Sequence, residues 1–347
     1  MKIVSWNVNS VKSRLEHVKK FLTETKPDIL MLQELKGLEF PAVEFEALGY
    51  KTEAVVQKAY NGVAMISKIP FKVIHNKLPG DDTDEHARYL EIETDNLRVI
   101  NIYAPNGNPV DTEKFTYKLA WLGRLKNHLQ KLRLDNIPFA IGGDFNVIPE
   151  EKDCWDPKAW IQDALFRIES RQKLRSILNL GLTDAFRVFN SAPGQYTFWD
   201  YQAGCWPQNK GIRIDHFLLS PQLTDRLVSC FIDPGPRSWD KPSDHTPVMV
   251  EIAMIDIARN EVTKQSRARK KELDCFAQFT LRKGGGLAIP LLPCASGRLL
   301  GKTGQLSILS REAQRSASRH PKRSATATVT AAGASTTSPS PKGTGAM

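Results

Sequence analysis

PFAIGGDFN, residues 138–146, is the stretch on which the fold turns. Its apolar run, Pro138 to Ile141, is too short for a buried helix, and Gly142-Gly143-Asp144-Phe145-Asn146 ends it abruptly. Such a run reads as a strand buried on both faces, with polar groups delivered at its carboxyl end. Just upstream, Phe115, Leu119, Leu122, Leu125, Leu129 and Leu132 recur at helical spacing. Before that helix, Leu97 to Tyr103 reads as another strand, ending at Tyr103-Ala104-Pro105-Asn106. Strand, helix, strand in this order is the repeating unit of an α/β fold.

The same grammar extends outward in both directions. Ile29-Leu30-Met31-Leu32 is continuously apolar and ends at Gln33-Glu34. Residues 11–22 place Val11, Leu15, Val18 and Leu22 on one helical face, with Ser10 available as a cap and Pro27 closing the connection. Ile212 to Leu219, carrying Asp215, and Val248 to Ile252, preceded by Ser243-Asp244-His245-Thr246-Pro247, read as later strands. At 347 residues the chain has room for two domains, or one large α/β domain with an appendage. The alternation through residues 1–252 assigns that span to a single α/β domain. An apolar share of 41% is enough for a sizeable core. No apolar run approaches the ~18 residues that a membrane-spanning helix requires, so a transmembrane protein is not expected.

The formal net charge of +10 is unevenly placed. Residues 253–347 hold 16 Lys/Arg against 5 Asp/Glu, a net +11, whereas residues 1–252 hold 32 against 33, a net −1. The first 252 residues therefore cannot attract a polyanion through their overall field and must rely on local cations and metal ions. The 253–347 segment is rich in Ser, Thr, Ala, Gly and Pro, with Gly284-Gly285-Gly286 and a short apolar patch at Leu287 to Leu292. Its composition is that of a basic, low-complexity, disordered tail, either a binding extension or the product of a shifted reading frame. Cysteines 154, 205, 230, 275 and 294 are odd in number and show no CxxC spacing. That pattern, with an opening MKIVSWN that carries no secretory or transit segment, fits a reducing, cytoplasmic location.

Each strand-like segment delivers polar groups at or near one end: Asn7 and Asn9, Glu34, Tyr103 and Asn106, Asp144 and Asn146, then Asp215, Asp244 and His245. Singly, each is a turn residue, a cap or a solvated charge. Jointly they are more, because strand ends of an α/β fold converge on one crevice. Carboxylates and amide oxygens with one histidine and no cysteine are hard ligands, suited to Mg²⁺, with Mn²⁺ as an alternative, and not to zinc. The matching reaction class is metal-dependent phosphoester hydrolysis.

Six segments in order, SWNVNS (5–10), LMLQE (30–34), NIYAPN (101–106), GGDFN (142–146), GIRIDH (211–216) and SDHTP (243–247), resemble the signature set of the exonuclease III family of AP endonucleases, within the DNase I-like superfamily. The resemblance covers residues 1–252. It implies a four-layer α/β sandwich of two packed mixed β-sheets, with the site at one edge. It further implies a DNA repair nuclease that hydrolyses the phosphodiester 5′ to abasic sites, with 3′-exonuclease and 3′-phosphatase activity.

Carried over residue by residue, the resemblance makes Tyr103, Asp144, Asn146, Asp215 and His245 catalytic. Asn7, Glu34, Asp144, Asn146, Asp244 and His245 are in or near the Mg²⁺ coordination sphere, Glu34 being the main ligand. Lys12, Arg88, Asn106, Phe198, Ile212 and Ile214 contact DNA, the last three as an apolar pocket for a flipped-out abasic sugar. The loop after Tyr103 runs Asn106-Gly107-Asn108-Pro109 without the arginine that some relatives carry there. The partner implied is double-stranded DNA with abasic sites or blocked 3′ ends, acted on by a monomer in the bacterial nucleoid. Two other readings share some of these features: a superfamily phosphoesterase acting on inositol phosphates or phospholipids, and a non-enzymatic nucleic-acid-binding protein working through its basic tail.

Overall fold

The computed structural model describes residues 1–254. The tail expected over residues 253–347 therefore lies outside the described residues, apart from Ala253 and Met254. Twelve strands form two sheets of six. They are β1 (Lys2–Asn7), β2 (Ile29–Gln33), β3 (Lys51–Val55), β4 (Val63–Ser67), β5 (Lys72–His75), β6 (Tyr89–Thr94), β7 (Leu97–Tyr103), β8 (Phe139–Asp144), β9 (Thr183–Asp184), β10 (Asp215–Leu219), β11 (Leu227–Ile232) and β12 (Val248–Ile252). The helices are α1 (Leu15–Thr25), α2 (Ala42–Glu46), α3 (Glu113–Leu134), α4 (Pro157–Trp160), α5 (Ile168–Leu178), α6 (Ala185–Phe189) and α7 (Pro221–Thr224).

One sheet has the order β11-β12-β1-β2-β4-β3 and the other β5-β6-β7-β8-β10-β9. Both are mixed, since β1 runs parallel to β2 and β7 parallel to β8 while their other neighbours are antiparallel. The expected strand–helix–strand unit is β7–α3–β8, and the helical leucines sit under it: Leu122, Leu125, Leu129 and Leu132 pack with Ile100, Ile102, Phe139 and Ile141. On the other side, Val18, Phe21 and Leu22 of α1 cover Val4, Leu30 and Leu32. Between the sheets, Ile3, Ile29, Met31 and Met65 of one meet Leu90, Ile92, Val99 and Phe217 of the other. The layers are thus helix, sheet, sheet, helix, the four-layer sandwich expected. No helix among the described residues is long and apolar enough to cross a membrane.

Two local expectations need correction. The first helix starts at Leu15, and its N-cap position is Arg14 with no side-chain cap; Ser10 instead accepts the Ser13 amide at 3.3 Å within the preceding turn. Ser10 has φ +87°, a left-handed backbone, where a capping residue needs an extended one. Residues 212–214 are not regular strand. Ile212 makes isolated bridges to Cys154 and Phe198, and pairing with β8 begins only at Asp215.

Candidate active site

Parallel pairing brings strand ends together, and the registers here align the polar ones. Asn7 pairs with Gln33, just before Glu34, and Tyr103 pairs with Asp144, which in turn pairs with Asp215. Gly142 and Gly143 let β8 close at this point. A Cβ on Gly143, which has φ +140°, would run into the Ile102 carbonyl, and one on Gly142 would stand 2.5 Å from the Phe217 ring and 2.6 Å from Met31. Beneath the site, Gln33 donates to Asn101 at 2.7 Å, and Asn101 donates to the carbonyls of Leu32 and Ala64, so a buried amide pair ties one sheet to the other.

The side chains above that bridge form one network. Asn7 Nδ2 donates to Glu34 Oε1 at 3.0 Å and to Asp144 Oδ2 at 3.1 Å, and the Tyr103 hydroxyl donates to Glu34 Oε1 at 2.9 Å. Asp144 Oδ1 accepts the Asn146 amide at 2.8 Å. His245 Nδ1 lies 2.8 Å from Asp215 Oδ2, and its Nε2 lies 3.9 Å from Asp144 Oδ2. Asp215 Oδ1 is buried with no hydrogen-bond partner among the described residues. Glu34, Asp144 and His245 each present a ligand atom within 4.8 Å of the other two. Glu34 at φ +55° and Asn146 at φ +49° hold the left-handed backbone, a strained conformation that aims both side chains inward.

These contacts set the charges. Burial works against ionisation of Glu34, but His245, Lys36 and Asn7 outweigh it and keep the carboxyl below its usual range. Burial, and then the neighbouring Asp215, raise Asp144 to about 7. Burial also opposes a charge on His245, yet Asp215 and Asp144 raise it to about 10. Burial and the adjacent Glu34 and Asp144 carboxylates keep the Tyr103 phenol protonated. The arrangement holds a basic carboxylate, an imidazolium and a phenol donor around one concavity.

The remaining expected residues fall around this centre unequally. Asn146 donates to the Ala104 carbonyl at 2.9 Å and accepts from Asn106 at 3.3 Å. Asp244 accepts from Asn9 at 3.0 Å and lies outside the Glu34–Asp144–His245 group. Arg88 stacks over the Tyr103 ring at 4.8 Å and, with Asn106, lines a cleft of about 630 Å³ that opens from Glu34 and Tyr103. Phe198 is half-buried with its ring 5.0 Å from that of His245, whereas Ile212 and Ile214 are buried beneath it with Cys154 and Phe166. Lys12 is exposed on the turn between β1 and α1.

Two lysines escaped the sequence reading. Lys36 sits 2.8 Å from Glu34 and donates to Asn9 Oδ1 at 2.5 Å. Lys118 of α3 is fully buried and donates to the carbonyls of Asn106, Asn146 and Ala164 at 2.9, 2.5 and 3.1 Å, so one ammonium fastens the two loops that carry the site's asparagines. Its signal was available: Lys118 shares the helix face of Trp121, Leu122 and Leu125, where a lysine does not belong unless it is paired.

Comparison with known proteins agrees with this geometry. The sequence pattern of the Endonuclease/Exonuclease/phosphatase family matches residues 4–245. Exodeoxyribonuclease III of Haemophilus influenzae is 34% identical over 266 residues, spanning 73% of this chain and 100% of that protein. Among solved structures, the Neisseria 3′ phosphatase NExo, bound to a product DNA hairpin, superposes with a TM-score of 0.71 at 36% identity, over 73% of this chain and 100% of that one. An AP endonuclease from Archaeoglobus fulgidus gives 0.70 at 36% identity with the same coverage. The family match over residues 4–245, with relatives at 34–36% identity covered along their full length, places the chain: it belongs to the endonuclease/exonuclease/phosphatase family.

Proposed function

We propose that the chain is a DNA repair nuclease that uses Mg²⁺ to hydrolyse the phosphodiester 5′ to an abasic site, leaving a 3′-hydroxyl, and that it also trims blocked 3′ ends as a 3′-exonuclease and 3′-phosphatase. The observation that carries this reading is the convergence of Glu34, Asp144 and His245 within 4.8 Å at an open sheet edge, with Asp215 behind His245. The curated and structural relatives, named as exodeoxyribonuclease, AP endonuclease and 3′ phosphatase, support DNA as the substrate class.

A divalent ion fits these residues. Glu34 is ionised at the mouth of the site, and its neighbour Asp144 is a second hard oxygen donor in the same group. Glu34 would be its principal ligand, assisted by Asp144 and Asn7. When bound, the ion supplies Lewis-acid stabilisation of charge on the phosphate oxygens. The protonated His245, locked by Asp215, acts as a donor to a non-bridging oxygen and not as a ligand. Asp144, raised close to neutrality, is matched to taking a proton from the attacking water. Asn146 and Tyr103 add donors to the phosphate. Phe198 closes the side of the site where an abasic sugar, unhindered by a stacked base, enters at least cost. Arg88, Asn106 and Lys12 track the backbone. The active species is a monomer, working in the cytoplasm on chromosomal DNA.

A duplex bearing one abasic site tests the reading. Incision with Mg²⁺ is expected, none in excess EDTA, and loss on the order of 10²-fold or more for Asp144→Asn and His245→Ala with DNA binding retained. Full activity in EDTA removes the metal from the mechanism, and equal cleavage of undamaged duplex removes the abasic preference.

A further inference from the structure

On the outer face of the second sheet, under α3, lies a second cluster with a different chemistry. His75 at the end of β5, Glu91 in β6 and His128 in α3 bring two imidazole nitrogens and a carboxylate oxygen within 4.8 Å of one another. Glu91 pairs with Ile100, three residues before Tyr103, about 10 Å along β7, and alternation turns its side chain to the helix side with Tyr89. The cluster is therefore separate from the Glu34–Asp144–His245 site.

Its details favour a cation. Glu91 has no exposed surface, and its Oε2 lies 2.8 Å from His128 Nε2 and accepts the Tyr89 hydroxyl at 2.8 Å. Its other oxygen accepts Arg98 at 2.8 Å, but that guanidinium is shared with Glu93, which leaves the three charged groups with a net −1. Tyr89 and Arg98 fix the carboxylate as outer partners fix a ligand. The two imidazole rings stand nearly perpendicular with centroids 5.5 Å apart. Donors around a zinc-sized ion at ~2.0–2.1 Å sit about 3.4 Å apart, so an ion here would replace the 2.8 Å hydrogen bond between His128 Nε2 and Glu91 Oε2, opening that pair slightly, with His75 within 4.8 Å as the third donor.

We propose that His75, Glu91 and His128 form a second metal site, one that takes a zinc-class transition ion and clips β5 and β6 to α3. Two nitrogens and one oxygen suit Zn²⁺ or Co²⁺ and disfavour Mg²⁺, the reverse of the oxygen-rich catalytic site. The ion's role is structural, so it adds to stability and leaves the hydrolytic chemistry to the other centre.

The full-length chain, stripped with chelator and kept in excess Mg²⁺, is titrated with Zn²⁺ by calorimetry and with Co²⁺ by visible absorption. The expected result is a saturable Zn²⁺ equivalent that raises the Tm by about 3 °C or more, together with the d–d bands of a four-coordinate Co²⁺ site. Both persist in Glu34→Ala and are lost, with at least a tenfold drop in affinity, in His75→Ala, whose strand-end position spares the core. An equivalent that survives His75→Ala, or disappears in Glu34→Ala alone, overturns the proposal. So does the absence of any saturable Zn²⁺ binding, which would leave the three residues as a hydrogen-bonded network only.

Discussion

Lys118 carries more of the site's geometry than its place in the sequence advertises. Burial draws its amine down to about 7 against the opposing pull of Asp163 and Asp144. Three carbonyl acceptors meet its three N–H groups, an arrangement that only the protonated form satisfies. Replacing it by Met keeps the volume and strands those acceptors. Lys118→Met is expected to cost at least about 2 kcal/mol in denaturant unfolding and to lower single-turnover incision on the order of tenfold through the loosened Asn106 and Asn146 loops. Unchanged turnover in the folded variant would make the lysine a purely structural staple. The contrast with Glu34, Asp144, Asp215 and His245 explains what the sequence disclosed. Glu34 and Asp144 stand where apolar runs stop, and Asp215 and His245 stand within or just before one, positions legible from spacing. Lys118 shows itself only by its place on the apolar face of α3, and Lys36 acts through an ion pair with Glu34 and a hydrogen bond to Asn9 that its spacing does not announce. Lys12, exposed with no ion pair among the described residues, gives the structure nothing to add to its expected role. Ile212 and Ile214, expected to line the apolar pocket, pack into a small core beneath Phe198.

Among the elements, the relation of the two sheets matters most, because Glu34 rides on β2 while Tyr103 and Asp144 ride on β7 and β8. Face-to-face apolar packing tolerates sliding; the Gln33–Asn101 amide pair, one residue before Glu34 and two before Tyr103, does not. Asn101→Leu removes the acceptor of one Gln33 N–H and the donor to the Leu32 and Ala64 carbonyls in a buried layer, leaving Gln33 its contact with Ser5. A loss of about 2–4 kcal/mol is expected by denaturant unfolding, with turnover lowered on the order of tenfold well below the melting temperature. Stability lost with turnover intact would show that packing alone aligns the sheets. The elements legible in the sequence were those nearest this interface. β2, β7, β8 and β12 are short apolar runs with abrupt polar ends, and α3 repeats its leucines over a long span. Strands such as β3 (KTEAV) and β5 (KVIH) are half-exposed and mix charges with apolar residues, so neither period stands out. Residues 212–214 read as strand because Ile212 and Ile214 alternate about Arg213, yet the Ile212 backbone bridges to two loops and regular pairing waits until Asp215.

For the whole molecule, charge and fold are divided along the chain. Every group of the proposed site precedes residue 252, and those 252 residues carry a net −1, so any grip they have on DNA is expected to rest on local cations such as Lys36, Arg88 and Lys114, which line the cleft. The net +11 lies beyond them. A protein ending at Met254 keeps β12 intact, paired to β1 through Lys2 to Ser5 and closed by the Ile252 amide on the Met1 carbonyl at 2.9 Å. It is therefore expected to fold and to incise abasic DNA. The full-length chain is expected to bind undamaged duplex with a steeper salt dependence, because each phosphate neutralised adds about 0.9 to the log–log slope. Engagement of about three phosphates by residues beyond 254 would separate the two slopes by about 2.7, which filter binding or anisotropy between low and physiological salt resolves readily. Equal slopes would deny those residues any role as a DNA-binding arm. A truncated protein that failed to fold or to incise would move the catalytic domain's boundary past Ile252, and with it the assignment of the basic charge.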